Sequence, residues 1–137
     1  MTTAVLADTH FIIWLRTTPE RLNRDERHAL DTAEVRYLSV ASLWEIAILM
    51  SLGRVAPEAG FFHTPEGFEL LPIQPEHCRA LAHLPRLHRD PFDRMLIAQA
   101  RSERLPLLTR DRAVRDYADA GLVGLWGYAG GSGNSSR

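Results

Sequence analysis

Residues 3–15 read TAVLADTHFIIWL, and this stretch decides the fold that we predict. Its first part, 3–7, is a short apolar run that predicts a buried strand ending at Asp8, and the apolar residues at 11–15 predict the start of a helix. An apolar run, an acid and an amphipathic segment follow one another again at 105–120. This alternation predicts an α/β domain with a mainly parallel central sheet flanked by helices.

The remaining apolar runs predict the other elements. We predict further strands at 36–40, 68–73, 105–109 and 122–126, and further helices at 20–33, 42–51, 75–82, 91–103 and 111–120. Pro72 cannot donate to a strand ladder, so we expect its strand at a sheet edge. Ser42 is the predicted N-cap of one helix, and Asp90 caps another that has Pro91 at its first position.

Size and composition predict one folded domain. The chain has 137 residues, of which 45% are hydrophobic and 24% are charged, so it is long enough to bury a core of its own. We place the domain at 1–128 and exclude 129–137, because that glycine- and serine-rich segment has nothing to bury. The predicted organisation is a single domain followed by a flexible C-terminal tail.

Cysteine content and the N-terminal sequence indicate a location. Cys78 is the single cysteine, so no internal disulfide forms, which fits a reducing compartment. The first residues lack the basic and apolar regions of an export signal, and no apolar run is long enough to cross a bilayer. We expect a cytoplasmic protein that has no membrane partner.

The basic residues are unusual in kind and in position. All sixteen are arginine, so the chain lacks the lysine that Schiff-base and P-loop enzymes use. The net charge is −1, yet the segment 86–115 holds eight arginines against four acids, a balance of +4. This segment predicts either a local basic surface for a nucleic acid or a solvated helix face.

Acids stand directly after two of the predicted strands. Asp8 follows the first strand, and Asp111 follows the strand at 105–109. Either residue alone is explained as the N-cap of the next helix. Ligands of open parallel sheets bind beyond the carboxyl ends of the strands, however, and two adjacent strands would bring both carboxylates together there. The recurrence favours a binding site over two separate caps.

Two further acids are candidates for the same site. Glu45 is a lone carboxylate on an otherwise apolar helix, although an exposed acid near a helix start is the simpler alternative. Asp90 is explained as the N-cap before Pro91. Asp93 projects from the first turn of the same helix toward the sheet edge. We therefore predict that Asp90 is structural and that Asp93 is functional.

A cluster of four carboxylates requires a counter-charge. Two carboxylates about 4 Å apart repel by roughly 4 kcal/mol at an effective dielectric constant of about 20. A cluster must therefore bind protons or cations, and the predicted members are Asp8, Glu45, Asp93 and Asp111. Because the pattern places no histidine or cysteine among these acids, we expect Mg²⁺ or Mn²⁺ and not zinc.

Four motifs give the sequence a resemblance to a known family. They are Leu6-Ala7-Asp8-Thr9-His10, Ser42-Leu43-Trp44-Glu45, Asp90-Pro91-Phe92-Asp93-Arg94-Met95-Leu96-Ile97-Ala98-Gln99-Ala100 and Leu108-Thr109-Arg110-Asp111. In this order and spacing the chain, up to about Trp126, resembles the PIN-domain toxin ribonucleases of the VapC type, which belong to type II toxin-antitoxin systems. The resemblance implies a PIN-like fold, with a mainly parallel sheet flanked by helices.

The resemblance also implies an activity, a site and partners. The implied activity is metal-dependent cleavage of RNA, and the implied partners are an RNA substrate, a cognate antitoxin that covers the site, and a second copy of the chain in a homodimer. The family's acidic quartet, which uses Mg²⁺ or Mn²⁺ as cofactor, corresponds to Asp8, Glu45, Asp93 and Asp111. The implied RNA contacts are Thr9, Arg94, Thr109 and Arg110.

Two other functions are compatible with parts of the pattern. Asp8 followed by Thr9 is compatible with a phosphohydrolase that uses the aspartate as its nucleophile, but His10 stands where that chemistry places a second acid. A non-catalytic module that only binds a protein is the other alternative. Selection for binding alone need not retain four acids that repel one another, which argues against such a module.

Overall fold

A parallel sheet forms the centre of the computed structural model, which describes residues 3–127. The strands are β1 (Ala4–Ala7), β2 (Val35–Ser39), β3 (Phe68–Leu71) and β4 (Leu107–Leu108). They lie side by side in the order β3-β2-β1-β4, and each neighbouring pair is parallel. The predicted α/β class is confirmed. The predicted tail at 129–137 lies outside the described residues.

Helices connect these strands. They are α1 (Thr9–Thr17), α2 (Arg24–Thr32), α3 (Val40–Ser51), α4 (Pro75–His83), α5 (Pro91–Glu103) and α6 (Arg112–Asp119), with short 3-10 helices at Pro19–Arg21 and Ala59–Phe62. Because a parallel strand pair needs a long crossover connection, the helical segments between the strands account for the parallel pairing. None of the described helices is long and apolar enough to cross a bilayer.

Both faces of the sheet are buried. Along β1 the side chains alternate: Val5 and Ala7 pack with apolar residues of α1 and α3, whereas Leu6 packs with apolar residues of α5 and α6. All three side chains are buried. A strand covered by helices on both faces needs an apolar residue at every position, which explains the continuous apolar run at 3–7.

The pairing of β1 with β4 positions the acids. Ala7 is in register with Leu108, and the Asp8 amide donates a hydrogen bond of 3.1 Å to the Leu108 carbonyl oxygen. Because the two strands run in the same direction, Asp8 and Asp111 leave the sheet at the same edge. β2 ends at this edge too and leads directly into α3, which carries Glu45.

The start of α3 differs from the prediction. Ser39 is the N-cap, since its hydroxyl accepts a hydrogen bond of 3.0 Å from the Ala41 amide. The prediction of Ser42 as the cap was therefore wrong. Ser42 lies inside the helix, is buried, and accepts a hydrogen bond from the Thr9 hydroxyl at 3.0 Å.

Other boundaries differ for local reasons. The predicted helix at 20–33 is divided, because Asn23 and Glu26 form a capping box that begins α2 after the preceding 3-10 turn. The prediction of a last strand at 122–126 was wrong for the described chain, where Leu125 pairs with Leu107 in an isolated bridge only. The prediction that β3 lies at a sheet edge is confirmed.

Candidate active site

Asp8 lies at the centre of the carboxyl edge of the sheet. Its side chain is buried with 5% of the residue exposed, and its Oδ1 accepts hydrogen bonds from the amides of His10 (3.0 Å) and Phe11 (3.3 Å). Asp8 is thus the N-cap of α1, and both capping bonds use one oxygen. Burial raises the pKa of the carboxyl group, although the Thr109 hydroxyl and the capping amides oppose that rise.

Asp111 faces Asp8 from the adjacent strand end. Its Oδ1 accepts a hydrogen bond of 2.9 Å from the Ala113 amide and caps α6, while its own amide donates to the Thr109 hydroxyl at 3.1 Å. Asp8 and Asp111 line one pocket of about 260 Å³, together with aromatic residues of α1. The alternatives of cap and binding site are therefore compatible, because one carboxylate oxygen of each residue suffices for the cap.

Glu45 contributes an unpaired oxygen to the site. Its Oε1 is buried and has no hydrogen-bond partner among the described residues. Burial raises the pKa of Glu45, the Thr9 hydroxyl opposes the rise, and the negative charges of Asp90 and Asp8 add to it. A buried carboxylate oxygen without a donor is costly unless a proton or a cation binds it. This oxygen fits a metal ligand better than a surface charge.

Asp93 is partly buried and lies close to other acids. Burial, followed by the proximity of Asp111, Asp90 and Asp8, raises its pKa to about 9. The free protein therefore keeps a proton on Asp93 at neutral pH. Its Oδ2 lies 2.9 Å from the ring nitrogen Nε2 of His88.

The structure brings all four predicted acids into one electrostatic cluster. The charge of Asp8 raises the pKa of both Glu45 and Asp93, and Asp111 also raises the pKa of Asp93. Hard divalent cations bind oxygen ligands, and these acids supply carboxylate oxygens that repel one another. One of these oxygens, Glu45 Oε1, is buried and unpaired among the described residues. The residues present therefore fit Mg²⁺ or Mn²⁺.

Asp90 has the structural position that we predicted. Its Oδ1 accepts hydrogen bonds from the amides of Phe92 (2.8 Å) and Asp93 (3.3 Å), so it is the N-cap of α5. Its charge also reaches the cluster, because it raises the pKa of both Glu45 and Asp93. Asp90 thus adds to the negative field of the site while it begins the helix that carries Asp93.

His88 is the residue of this cluster that sequence reasoning missed. Its Nε2 lies 2.9 Å from Asp93 Oδ2 and 3.7 Å from Asp111 Oδ2. The expectation that no histidine accompanies the acids was wrong, because hydrogen bonds from the amides of Leu87 and His88 to the Tyr117 hydroxyl hold the segment before α5 against α6. The only signal in the sequence was that His88 stands two residues before the cap Asp90.

The four residues implied as RNA contacts differ in their surroundings. The Thr9 hydroxyl is buried and donates to Ser42, while Arg94 Nη2 donates to the Leu84 carbonyl oxygen at 3.0 Å. Arg110 lines the pocket beside Asp8, and its guanidinium donates to both oxygens of Glu26 at 2.6 Å. The Thr109 hydroxyl accepts a hydrogen bond from the Asp111 amide. Both arginines thus already hold protein acceptors.

The fold and this site define an α/β domain with a cluster of carboxylates at the carboxyl edge of a parallel sheet. A family model described as the PIN domain matches residues 5–120. The chain belongs to the PIN-domain family, and its resemblance to the VapC type is confirmed.

Individual relatives agree with this assignment. The chain is 27% identical over 129 residues to a protein named Ribonuclease VapC22 from Mycobacterium tuberculosis, and the match covers 90% of this chain and 99% of that protein. A solved toxin-antitoxin complex from Klebsiella pneumoniae contains a chain with a TM-score of 0.59 and 20% identity, covering 87% of this chain and 94% of that one.

A further solved structure shares the fold at low identity. VapBC2 from Rickettsia felis, solved with a DNA fragment from its promoter, has a TM-score of 0.65 and 11% identity to this chain. The match covers 90% of this chain and 97% of the other. At these identities the solved structures show the common fold.

Proposed function

We propose that this protein is a metal-dependent endoribonuclease that acts as the toxin of a toxin-antitoxin pair. The observation that carries the proposal is the unpaired buried Oε1 of Glu45 within a cluster whose acids raise the pKa of Asp93 to about 9. Such a cluster needs protons or cations as its counter-charge, and its oxygen ligands suit a hard divalent cation. The relative named Ribonuclease VapC22, which the chain matches over nearly its whole length, supports RNA as the substrate.

The proposed ligands of Mg²⁺ or Mn²⁺ and the proposed catalytic residues are Asp8, Glu45, Asp93 and Asp111. When bound, the divalent ion polarises the scissile phosphate and lowers the pKa of the attacking water. Helix caps hold the carboxylates of Asp8 and Asp111 in place, so these groups need little rearrangement when the substrate arrives. To bind the ion, Asp93 would release the proton that its raised pKa retains in the free protein.

One of the acids also serves as proton acceptor. A carboxylate within hydrogen-bond reach of the attacking water takes its proton as general base. Glu45 is the proposed acceptor, because its Oε1 is the buried oxygen that lacks a protein donor in the described chain. All four acids, Glu45 included, are proposed to bind the ion and keep the site negative enough to hold it.

The proposed RNA contacts are Thr9, Arg94, Thr109 and Arg110. Arg110 and Thr109 have the stronger support, because Arg110 lines the pocket next to Asp8 and the Thr109 hydroxyl lowers the pKa of Asp8 as a hydrogen-bond donor. Arg110 can contact a phosphate either while it stays paired with Glu26 or by giving up that ion pair. Arg94 and Thr9 have weaker support, since the bonds that they donate go to Leu84 and Ser42.

The proposed partners are a cognate antitoxin that covers the site and a second copy of the chain, with the complex acting in the cytoplasm. One similar solved structure is a toxin-antitoxin complex and another is VapBC2 bound to DNA from its promoter, which supports the antitoxin. The homodimer follows from the family resemblance, and light scattering on the purified chain tests it. A single exposed cysteine, Cys78, fits a reducing location.

Cleavage of RNA by purified variants tests the activity. Asp8→Asn and Asp93→Asn should each abolish metal-dependent cleavage while the protein remains folded, because asparagine can cap α1 in place of Asp8 and resembles a protonated Asp93 in shape, but is a poor ligand for Mg²⁺. Asp31→Asn is the matched control, since Asp31 is exposed in the last turn of α2, at the opposite edge of the sheet. Full activity of either site variant would refute the proposal.

The two alternative functions make different predictions. An interaction module without metal affinity would show no change in unfolding temperature on addition of Mn²⁺, whereas a ligand that binds the folded protein stabilises it. A phosphohydrolase with Asp8 as nucleophile would accumulate a phosphorylated Asp8 from a small phosphomonoester. We expect a stabilising shift with Mn²⁺ and no phosphorylated Asp8.

A further inference from the structure

His88 occupies a position in the acid cluster that the four acids alone do not explain. Its Nε2, a carboxylate oxygen of Asp93 and a carboxylate oxygen of Asp111 all lie within 4.8 Å of one another. Three donor atoms this close can share one cation. A nitrogen donor changes the chemistry of the site, because imidazole is a ligand for later divalent metals, whereas Mg²⁺ takes oxygen.

The backbone that carries His88 is anchored from inside the protein. The hydroxyl of Tyr117, a fully buried residue of α6, accepts hydrogen bonds from the amides of Leu87 and His88, both at 3.0 Å. Asp111 caps the same helix. One helix therefore places both the histidine and one of its acidic neighbours, and the position of the imidazole is not that of a free surface side chain.

We propose that His88 is a nitrogen ligand of the divalent ion at this site and gives it a preference for Mn²⁺ over Mg²⁺. The inference rests on the proposed function, since it concerns the same ion. In the free protein His88 Nε2 and Asp93 Oδ2 share a hydrogen bond of 2.9 Å. A bound ion would replace the shared hydrogen between these two atoms. Tyr117 is a positioning residue, because it acts on the ion only through His88.

The test measures metal binding directly. His88→Gln is compared with wild type and with His28→Gln, whose histidine is exposed on α2 and far from the cluster in the sequence. Calorimetric titration should show Mn²⁺ affinity falling about tenfold or more in His88→Gln. The Mg²⁺ affinity should change by less than about twofold, because the oxygen ligands remain. His28→Gln should match wild type.

Pulsed EPR of bound Mn²⁺ gives a second readout that does not depend on activity. Nitrogen modulation should appear in wild type and in His28→Gln, and should be absent from His88→Gln. Tyr117→Phe keeps the imidazole but removes the hydroxyl that holds its backbone, so it should weaken Mn²⁺ binding and keep some nitrogen modulation. This variant also serves if His88→Gln does not fold.

The outcomes separate this inference from the proposed function. Mn²⁺ bound to wild type without nitrogen modulation, or bound equally or more tightly by His88→Gln, overturns the histidine ligand while the carboxylate site stands. A histidine that merely competes with the metal would give the tighter binding. Asp93→Asn binding Mn²⁺ as wild type does, or wild type failing to bind it, overturns the carboxylate site and the histidine ligand together.

Discussion

Asp93 is a residue at which the requirements of folding and of the proposed function conflict. Its ordinary pKa is 3.8, and burial beside Asp111, Asp90 and Asp8 raises it to about 9 in the folded protein. The free energy of unfolding therefore includes the cost of keeping a proton that the unfolded chain would release at neutral pH. In a cation-binding site this cost has a function, because the negative charges that repel one another also attract the ion.

Replacing Asp93 by asparagine should make the metal-free protein more stable. Asparagine resembles the protonated carboxyl group in shape, and it removes the proton uptake that opposes folding at neutral pH. In chelator, the unfolding temperature of Asp93→Asn should exceed that of wild type, by about 3 °C for each kcal/mol recovered. Asp31→Asn should show no such gain. A lower unfolding temperature for Asp93→Asn in chelator would contradict the raised pKa.

The pH dependence of stability follows from the same shifts. The pKa values of Asp8, Glu45 and Asp93 are all raised, so the unfolded chain releases protons at a lower pH than the folded chain does. Their contribution to stability is complete below about pH 4. For Asp93 it is lost as the pH rises from 3.8 to about 9.

Denaturant titrations from pH 5 to pH 9 in chelator measure this slope. We expect the contribution of the cluster to the free energy of unfolding to fall with pH in wild type and to fall less in Asp93→Asn, so that the difference between the two grows. Saturating Mn²⁺ should reduce the slope in wild type, because the ion replaces the protons. Parallel curves for both proteins in chelator would contradict the account.

At the scale of the element, α5 carries Asp93, a proposed metal ligand, near one end and a buried polar group in its middle. Gln99 is fully buried, accepts a hydrogen bond from the Ser39 hydroxyl, and donates to the Pro72 carbonyl oxygen at 3.2 Å. Ser39 is also the N-cap of α3, the helix of Glu45. One side chain thus links the helices that carry two acids of the site.

Replacing Gln99 by leucine should destabilise the domain. The Ser39 hydroxyl and the Pro72 carbonyl oxygen lose their partner in a buried setting, which costs roughly 1–3 kcal/mol. Ser102→Ala, an exposed change on the same helix, should stay within about 0.5 kcal/mol of wild type. Denaturant unfolding measures both variants. An effect of Gln99→Leu no larger than that of Ser102→Ala would show that the link is unimportant.

Caps at three helix starts explain why the acidic positions were hard to interpret in the sequence. Asp8, Asp90 and Asp111 each cap a helix through Oδ1. The sequence offered cap and ligand as alternatives, but a carboxylate has two oxygens. The sequence pattern alone correctly identified Asp90, and not Asp93, as the cap, because Pro91 marks the start of the helix.

At the scale of the whole molecule, the sequence indicated which strand ends meet at the site. The acids after two apolar runs predicted a shared edge, and the parallel pairing of β1 with β4 provides one. His88 could not be predicted, because a hydroxyl about thirty residues away in sequence fixes its irregular segment. Ser42 was misplaced because Ser39, one turn earlier, serves equally well as a cap on local grounds.

The domain boundary stays a prediction. Residues 3–127 contain both buried clusters and all four acids, so a chain that ends at residue 128 should fold and cleave RNA as the full chain does. Thermal unfolding and cleavage assays on the shortened chain measure this. A loss of unfolding temperature on removal of 129–137 would show that this segment belongs to the domain.

The central claim is that the carboxylate cluster binds the ion that RNA cleavage requires. The most direct measurement is a Mn²⁺ titration of the chelator-treated protein in which binding and the rate of RNA cleavage are followed on the same samples. We predict that the two curves superimpose and that Asp93→Asn shows neither binding nor cleavage. Cleavage at full rate in chelator, or undiminished cleavage by Asp93→Asn, would contradict the claim.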